Sequence, residues 1–232
     1  MNTIKGSFYI LFQSYKKQNI IFWCILFAIV LLTFFIDTFF GQYLFSFAIT
    51  ISIPVYIFYS TTASKLLNKT LPYFLKLGIS RTQYMVNVGL FFICWSLAGA
   101  VIITCTHKVI NYFSALLKIK EILIIHPIYF FGNSTAFIDT VALDTVLLLF
   151  SLTSGLLLNI VFYRLGTIGG YSFFGLLCLI PITMVIFEWY TTLFELFSKL
   201  SAITIVSSLF VFSVLLYFIV TLALRRASVH PA

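Results

Sequence analysis

Residues 20–40 read IIFWCILFAIVLLTFFIDTFF, an unbroken apolar run carrying one charge, Asp37. A helix crossing the hydrocarbon core needs roughly 20 mostly apolar residues, and this run supplies them. It is apolar on every side, so it needs lipid or a large core around it. The rest of the chain chooses between these. Of 232 residues, 62% are hydrophobic and only 9% are charged, with a mean hydropathy of +1.12. A water-soluble domain carries about 25% charged residues. With so little to wet an exterior, the outer solvent must be lipid, and the expected fold is an all-α integral membrane protein forming a single transmembrane domain.

Working outward, six segments have the length of a span: 20–40, 43–62, 85–106, 141–162, 167–187 and 203–224. The first reads as a retained span, because no small-x-small cleavage pattern follows it and the chain turns at Gly41-Gln42 into the next run. Six crossings put both termini and alternate loops on one side. That side holds Lys5, Lys16, Lys17, Lys65, Lys69, Lys76, Arg81, Arg164, Arg225 and Arg226, ten of the 14 Lys and Arg residues. Basic loops stay in the cytoplasm, so both termini are expected there, in a multi-pass membrane protein. The opposite side takes Lys108, Lys118, Lys120 and Lys199, and all six acidic residues lie on or near it.

Three pieces do not span. In residues 1–19, Ile4, Phe8, Leu11, Phe12 and Tyr15 recur at helical spacing with Lys5, Lys16 and Lys17 mostly off the stripe, which predicts an amphipathic helix in the cytoplasmic interface. Residues 107–140 form the longest outer loop, whose apolar runs 109–117 and 122–131 are too short to cross and suggest interfacial or short re-entrant structure. Residues 188–201 suggest a short outer hairpin. His107 and His126 in the outer loop and His230 in the tail read as ordinary surface residues. The four cysteines show no CxxC or Cys/His spacing, so neither a metal site nor a disulfide framework is expected.

The most informative loop is 64–84, SKLLNKTLPYFLKLGISRTQY. Thr70 is a plausible N-cap with Pro72 in the first turn. Gly78 can end that helix in the left-handed conformation. Ser80 and Gln83 form a Ser-x-x-Gln capping box that starts the third span. The plain alternative is a solvated basic loop that only sets topology.

The stretch LPYFLKLGISRTQY resembles the Leu-x-Leu-Gly-x-Ser-Arg-x-x-Tyr/Phe pattern after the second span in permeases of bacterial type-2 ABC exporters, matching at Leu75, Leu77, Gly78, Ser80, Arg81 and Tyr84. The amphipathic N-terminus, six spans and outer element before the last span fit the same family. A narrower resemblance is to peptide-toxin exporters of the staphylococcal phenol-soluble modulin type. The resemblance implies a coupling helix over Leu66–Leu77 that docks on a separate ATPase subunit, with Lys69, Lys76 and Arg81 contacting that ATPase or anionic headgroups. It also implies a second permease subunit, as homo- or heterodimer. ATP and magnesium would belong to the ATPase, since this chain has no Gly-x4-Gly-Lys-Ser/Thr loop. No cofactor on this chain, no catalytic residue and no nucleic-acid partner are expected.

Inside the spans, Asp144, Ser151, Gly155 and Asn159 recur at seven, four and four residues and share a helix face. Polar groups at membrane depth face protein or water. The stripe therefore lines a pathway or subunit interface, or else packs helices within one subunit. Gly166-Thr-Ile-Gly-Gly170 reads as a tight turn with close helix packing. Pro181 is expected to kink span five below Glu188, and by resemblance both are outer-gate candidates. The rival class is a non-transporting immunity or assembly factor that binds a toxin or partner in the bilayer. A secondary transporter would show more buried charge or paired interrupted helices.

Overall fold

The computed structural model describes residues 3–40, 47–116, 122–130, 136–192, 195 and 200–225. In chain order these form α1 (Thr3–Phe40), β1 (Phe47–Ile49), α2 (Ser52–Ala63), α3 (Leu66–Lys76), α4 (Arg81–Leu116), β2 (Ile122–Ile124), a 3-10 turn (Pro127–Phe130), α5 (Phe137–Ile186) and α6 (Ala202–Arg225). Parts of the expected second span (43–46), Lys118, Lys120, Glu121, Lys199, Arg226 and His230 lie outside the described residues. Among the described residues the architecture is helical but for one short strand pair, and four helices are long and apolar enough to cross a membrane: Lys5–Ile36 within α1, α4, α5, and Ile203–Arg225 within α6. The chain is built as a membrane-embedded protein.

Several elements differ from expectation. The N-terminal interfacial helix and the first span are one continuous α1 of 38 residues, about 57 Å long. Neither proline nor a run of turn formers falls near Asn19, so nothing stops propagation. The expected stripe is partly right: Leu11 and Tyr15 are buried, together with Ser7, while Phe12 is exposed. The second span is not one helix. Residues 47–49 are extended, and α2 has only 12 residues, about 18 Å of rise. Extended backbone in an apolar segment must find hydrogen bonds elsewhere, and β1 finds them in a parallel ladder with β2, pairing Phe47 with Ile122 and Ile49 with Ile124. The run 109–116, read as part of a loop, instead continues α4.

At 50 residues, or about 75 Å, α5 is far too long for one crossing of a roughly 30 Å core. It is broken at Gly166, whose φ of 70° and ψ of −172° only glycine adopts readily. Residues eight or nine apart in a straight helix stand about 12–14 Å apart along its axis. Yet the rings of Phe162 and Tyr171 meet at 5.4 Å, and a Cβ on Gly170 would come within 2.2 Å of the Phe162 ring. The chain folds back at this turn, as the glycine cluster suggested. Pro181, where a kink is expected, lies inside α5 and keeps helical dihedral angles. Proline removes one donor, but its fixed φ is compatible with helix. The backbone departs from helix further on, at Glu188, with φ of 55°.

The residues gather into two compact units, one of Met1–Phe58 with Ile93–Leu148, the other of Tyr59–Phe92 with Leu149–Ala232. The first is held by Leu11, Tyr15, Val55, Ile103 and Leu143, the second by Leu67, Phe74, Tyr84, Leu156 and Val220.

Candidate functional site

In the second unit, α3 is short, and its apolar residues Leu66, Leu67, Leu71 and Phe74 are buried on one face, while Asn68, Lys69, Tyr73, Lys76 and Leu77 face outward. It begins four residues earlier than Thr70, the expected cap. The N-terminal Lys65 offers no side-chain cap. The cap comes from another helix: the Leu67 N–H donates to Asn159 Oδ1 of α5 at 2.7 Å. Thr70 is instead interior, its hydroxyl donating to the Leu66 carbonyl at 2.9 Å and accepting from the Tyr84 hydroxyl at 2.7 Å. Pro72 therefore sits inside the helix, where it has no N–H to give the carbonyl of Asn68 one turn earlier.

The far end follows the expected design. Gly78 has φ of 77°, its N–H donates to the Leu75 carbonyl, and the Ile79 N–H donates to the Phe74 carbonyl. This is the Schellman pattern of a glycine-terminated helix. The next helix opens with the capping box: Ser80 N–H to Gln83 Oε1 at 3.2 Å, and Gln83 N–H to Ser80 Oγ at 3.3 Å. Tyr84 packs its ring on Phe74 at 5.2 Å and is fully buried. Arg81 Nη1 donates to the Leu224 carbonyl at 3.1 Å, capping the end of α6. Of the coupling residues expected from sequence, Leu66 and Tyr84 thus face inward, Arg81 ties two helices together, and Lys69, Lys76 and Leu77 face out.

The remaining candidates are dispersed. Gly155 sits where a Cβ would meet the Ser60 carbonyl oxygen at 2.1 Å, so α5 and α2 pass in backbone contact. Ser151 is half-buried. Asn159 is buried and committed to α3. Pro181 and Glu188 are exposed. Next to Asn159 lies an open cavity of about 540 Å³, bounded by Ser64, Asn68, Phe162, Tyr171 and Phe174 among others.

The first unit holds a cluster that sequence reasoning missed. Asp144 is wholly buried, and its two oxygens accept from the Tyr56 hydroxyl at 2.6 Å and from His126 Nε2 at 3.2 Å. His126 Nδ1 accepts the Ile128 N–H at 3.1 Å, so its ring proton belongs on Nε2 and points at the carboxylate. The His107 ring stands edge-on to His126 with centroids 4.6 Å apart, and its Nε2 lies 3.2 Å from Ser52 Oγ. Both histidines, taken as surface residues from sequence, are buried at 6% and 2% exposure. The signal was Asp144 itself: a carboxylate at membrane depth requires donors. Ser52 beside His107 has the residue types of a nucleophile and its base, but Ser52 is fully buried, and both His126 nitrogens are committed. The cluster ties α2, α4 and α5 to the 3-10 turn. Among the described residues no group of three His, Cys, Asp or Glu side chains could hold a metal ion.

The chain matches no protein-family model, no curated protein and no solved structure.

Proposed function

We propose that this chain is the transmembrane permease subunit of an ABC exporter, crossing a bacterial cell membrane six times with both termini in the cytoplasm. The observation that carries this reading is the anchoring of α3. A loop that merely set topology would need neither a buried apolar face nor a cap delivered from another helix. Here an 11-residue helix is fastened at its start by Asn159 and at its end by Gly78 and the capping box, and it turns Lys69, Tyr73, Lys76 and Leu77 outward. That is the form a docking lever needs. Force applied to the outward face passes through the Leu67–Asn159 bond into α5 and through Thr70–Tyr84 into α4. A partner ATPase, carrying ATP and magnesium, would supply the force. A second permease subunit would complete the path for an amphipathic or lipophilic cargo (peptide, lipid or drug).

The test is affinity purification of the full chain in detergent. An ATPase should co-purify, with its hydrolysis altered by the permease, and Tyr73→Ala/Lys76→Ala should release it while the permease still melts normally. If no ATPase is retained, or the double variant holds it as tightly, the exporter reading fails, and a non-transporting membrane factor becomes the better account.

A further inference from the structure

The open cavity of about 540 Å³ in the second unit contains a hydrogen-bond donor with nothing to donate to. Its walls come from both arms of α5, which fold back at Gly166, and from Ser64 and Asn68 around the start of α3. At its floor is Asn159, 2% exposed. Only the oxygen of that amide can accept the Leu67 N–H, so Oδ1 faces α3 and the Nδ2 amino group faces the other way. No described residue accepts from Nδ2. The atom is not sealed off either, because the small surface that Asn159 keeps opens into the cavity. A donor taken out of bulk water is costly unless an acceptor meets it.

The walls say what else an occupant must offer. Phe162, Tyr163, Tyr171 and Phe174 bring four aromatic rings to the cavity. Phe162 and Tyr171 already meet edge to face, with centroids 5.4 Å apart and ring planes at 87°, and a further ring packs favourably on such a pair. Water satisfies Nδ2 but leaves the rings wet, which is unfavourable. An acyl chain covers the rings but brings no acceptor to the floor. A flat apolar body carrying one carbonyl group meets both needs. An amide donor compensates a carbonyl for its lost water, whereas the desolvation of an ion is far more costly. The volume lies within the range of small-molecule sites, about 300–1,000 Å³.

We infer that this cavity binds an uncharged aromatic molecule by its carbonyl oxygen, which accepts from Asn159 Nδ2 while the ring packs among Phe162, Tyr171 and Phe174. The carbonyl and ring arrive together on a free small molecule or on an aromatic residue of a peptide, and the recognition is the same for both. Occupancy is felt at α3, because the amide that holds the ligand also caps that helix through Leu67. That the ligand is transported cargo rests on the exporter reading. Its binding does not, since it needs no ATPase.

Equilibrium dialysis of the full chain in nanodiscs would use radiolabelled N-benzylacetamide, with empty nanodiscs to subtract partition into lipid. Saturable binding at one site per chain is expected. Hexanamide, which lacks the ring, and phenylacetate, which is charged, should compete about tenfold more weakly or worse. Asn159→Asp keeps the oxygen that caps α3, where a carboxylate suits a helix start, and turns the donor into a second acceptor. It should weaken binding about tenfold or more, with the melting midpoint kept. Phe174→Ala, at a half-exposed ring, should weaken it about two- to tenfold. Displacement by a blocked peptide containing one phenylalanine, and not by its leucine counterpart, would extend the site to peptide residues; displacement by neither would confine it to free small molecules. The inference is overturned if the probe does not bind saturably, if hexanamide or phenylacetate competes as well as the probe, or if either variant binds like the parent. Should Asn159→Asp melt early, Phe174→Ala and the competitors decide. A chain that binds the probe but retains no ATPase loses only the cargo role, and one that retains an ATPase without binding the probe loses only this site.

Discussion

Asp144 is the residue on which the first unit's polar interior turns. A carboxylate with no exposed surface keeps its place only while donors face both oxygens, and Tyr56 and His126 supply them. Tyr56→Phe removes one of these donors, and with it the hydroxyl that Ser52 bonds. We expect a loss of about 1.5–3 kcal/mol, seen as a lower thermal midpoint in detergent, and a smaller loss when Asp144→Asn is added. Equal losses with and without Asp144→Asn would sink this account of the pair. The importance of Asp144 was legible in the sequence, because it interrupts an apolar run. Its partners were not: His126 lies 18 residues away and Tyr56 lies 88 away, and only the fold brings such distances together. Asn159 teaches the same lesson. Its burial on a helix face could be read from spacing, but its acceptance of an α3 donor could not.

At the scale of elements, α3 was legible at its end and misread at its beginning. Helix stops are written locally, and Gly78 with the Ser80–Gln83 box was sufficient to locate this one. Its start is capped in trans, so Thr70 and Pro72 offered a false local signal. The role of Gly78 is testable. A Cβ there would touch nothing within 4 Å, so any penalty must come from the backbone alone. Gly78→Ala is expected to cost about 1–2 kcal/mol, and Gly78→Asn less, because asparagine tolerates the left-handed region. Faster hydrogen exchange at the Leu77–Ile79 amides in the alanine variant would register it. Identical exchange in all three proteins would show that the left-handed stop is dispensable. The misreading of the second span has a different cause. Apolar composition alone does not separate strand from helix over short runs, and the partner strand of β1 lies in a segment that itself looked like a loop.

For the whole molecule, hydropathy was the strongest signal, and it carried the membrane assignment because lipid contact needs apolar composition whatever the local geometry. Counting crossings is harder: α5 is one run by helical hydrogen bonding yet folds back at Gly166, and α2 is too short by itself to cross. The proposed topology makes a sharp prediction. In a background lacking Cys24, Cys94, Cys105 and Cys178, a membrane-impermeant thiol reagent should label Lys76→Cys only from the cytoplasmic face and Asp139→Cys only from the outer face. Labelling of position 76 from outside intact cells would invert the arrangement and remove α3 from any cytoplasmic partner.

The strand pair sets a clock on assembly. Phe47 pairs with Ile122, so 75 residues of chain separate a strand from the groups that satisfy it (122 minus 47). At a synthesis rate of about 5–20 residues per second, β1 leaves the ribosome roughly 4–15 s before β2 does. Through that interval its backbone N–H and C=O groups have no mate, and lipid offers none. The segment around residues 47–51 must therefore wait in water or in the insertion machinery while α3 and α4 are made. The first unit can close only when residues 122–148 have arrived, after the whole of α4 is made and while the later part of α5 and all of α6 are still to come.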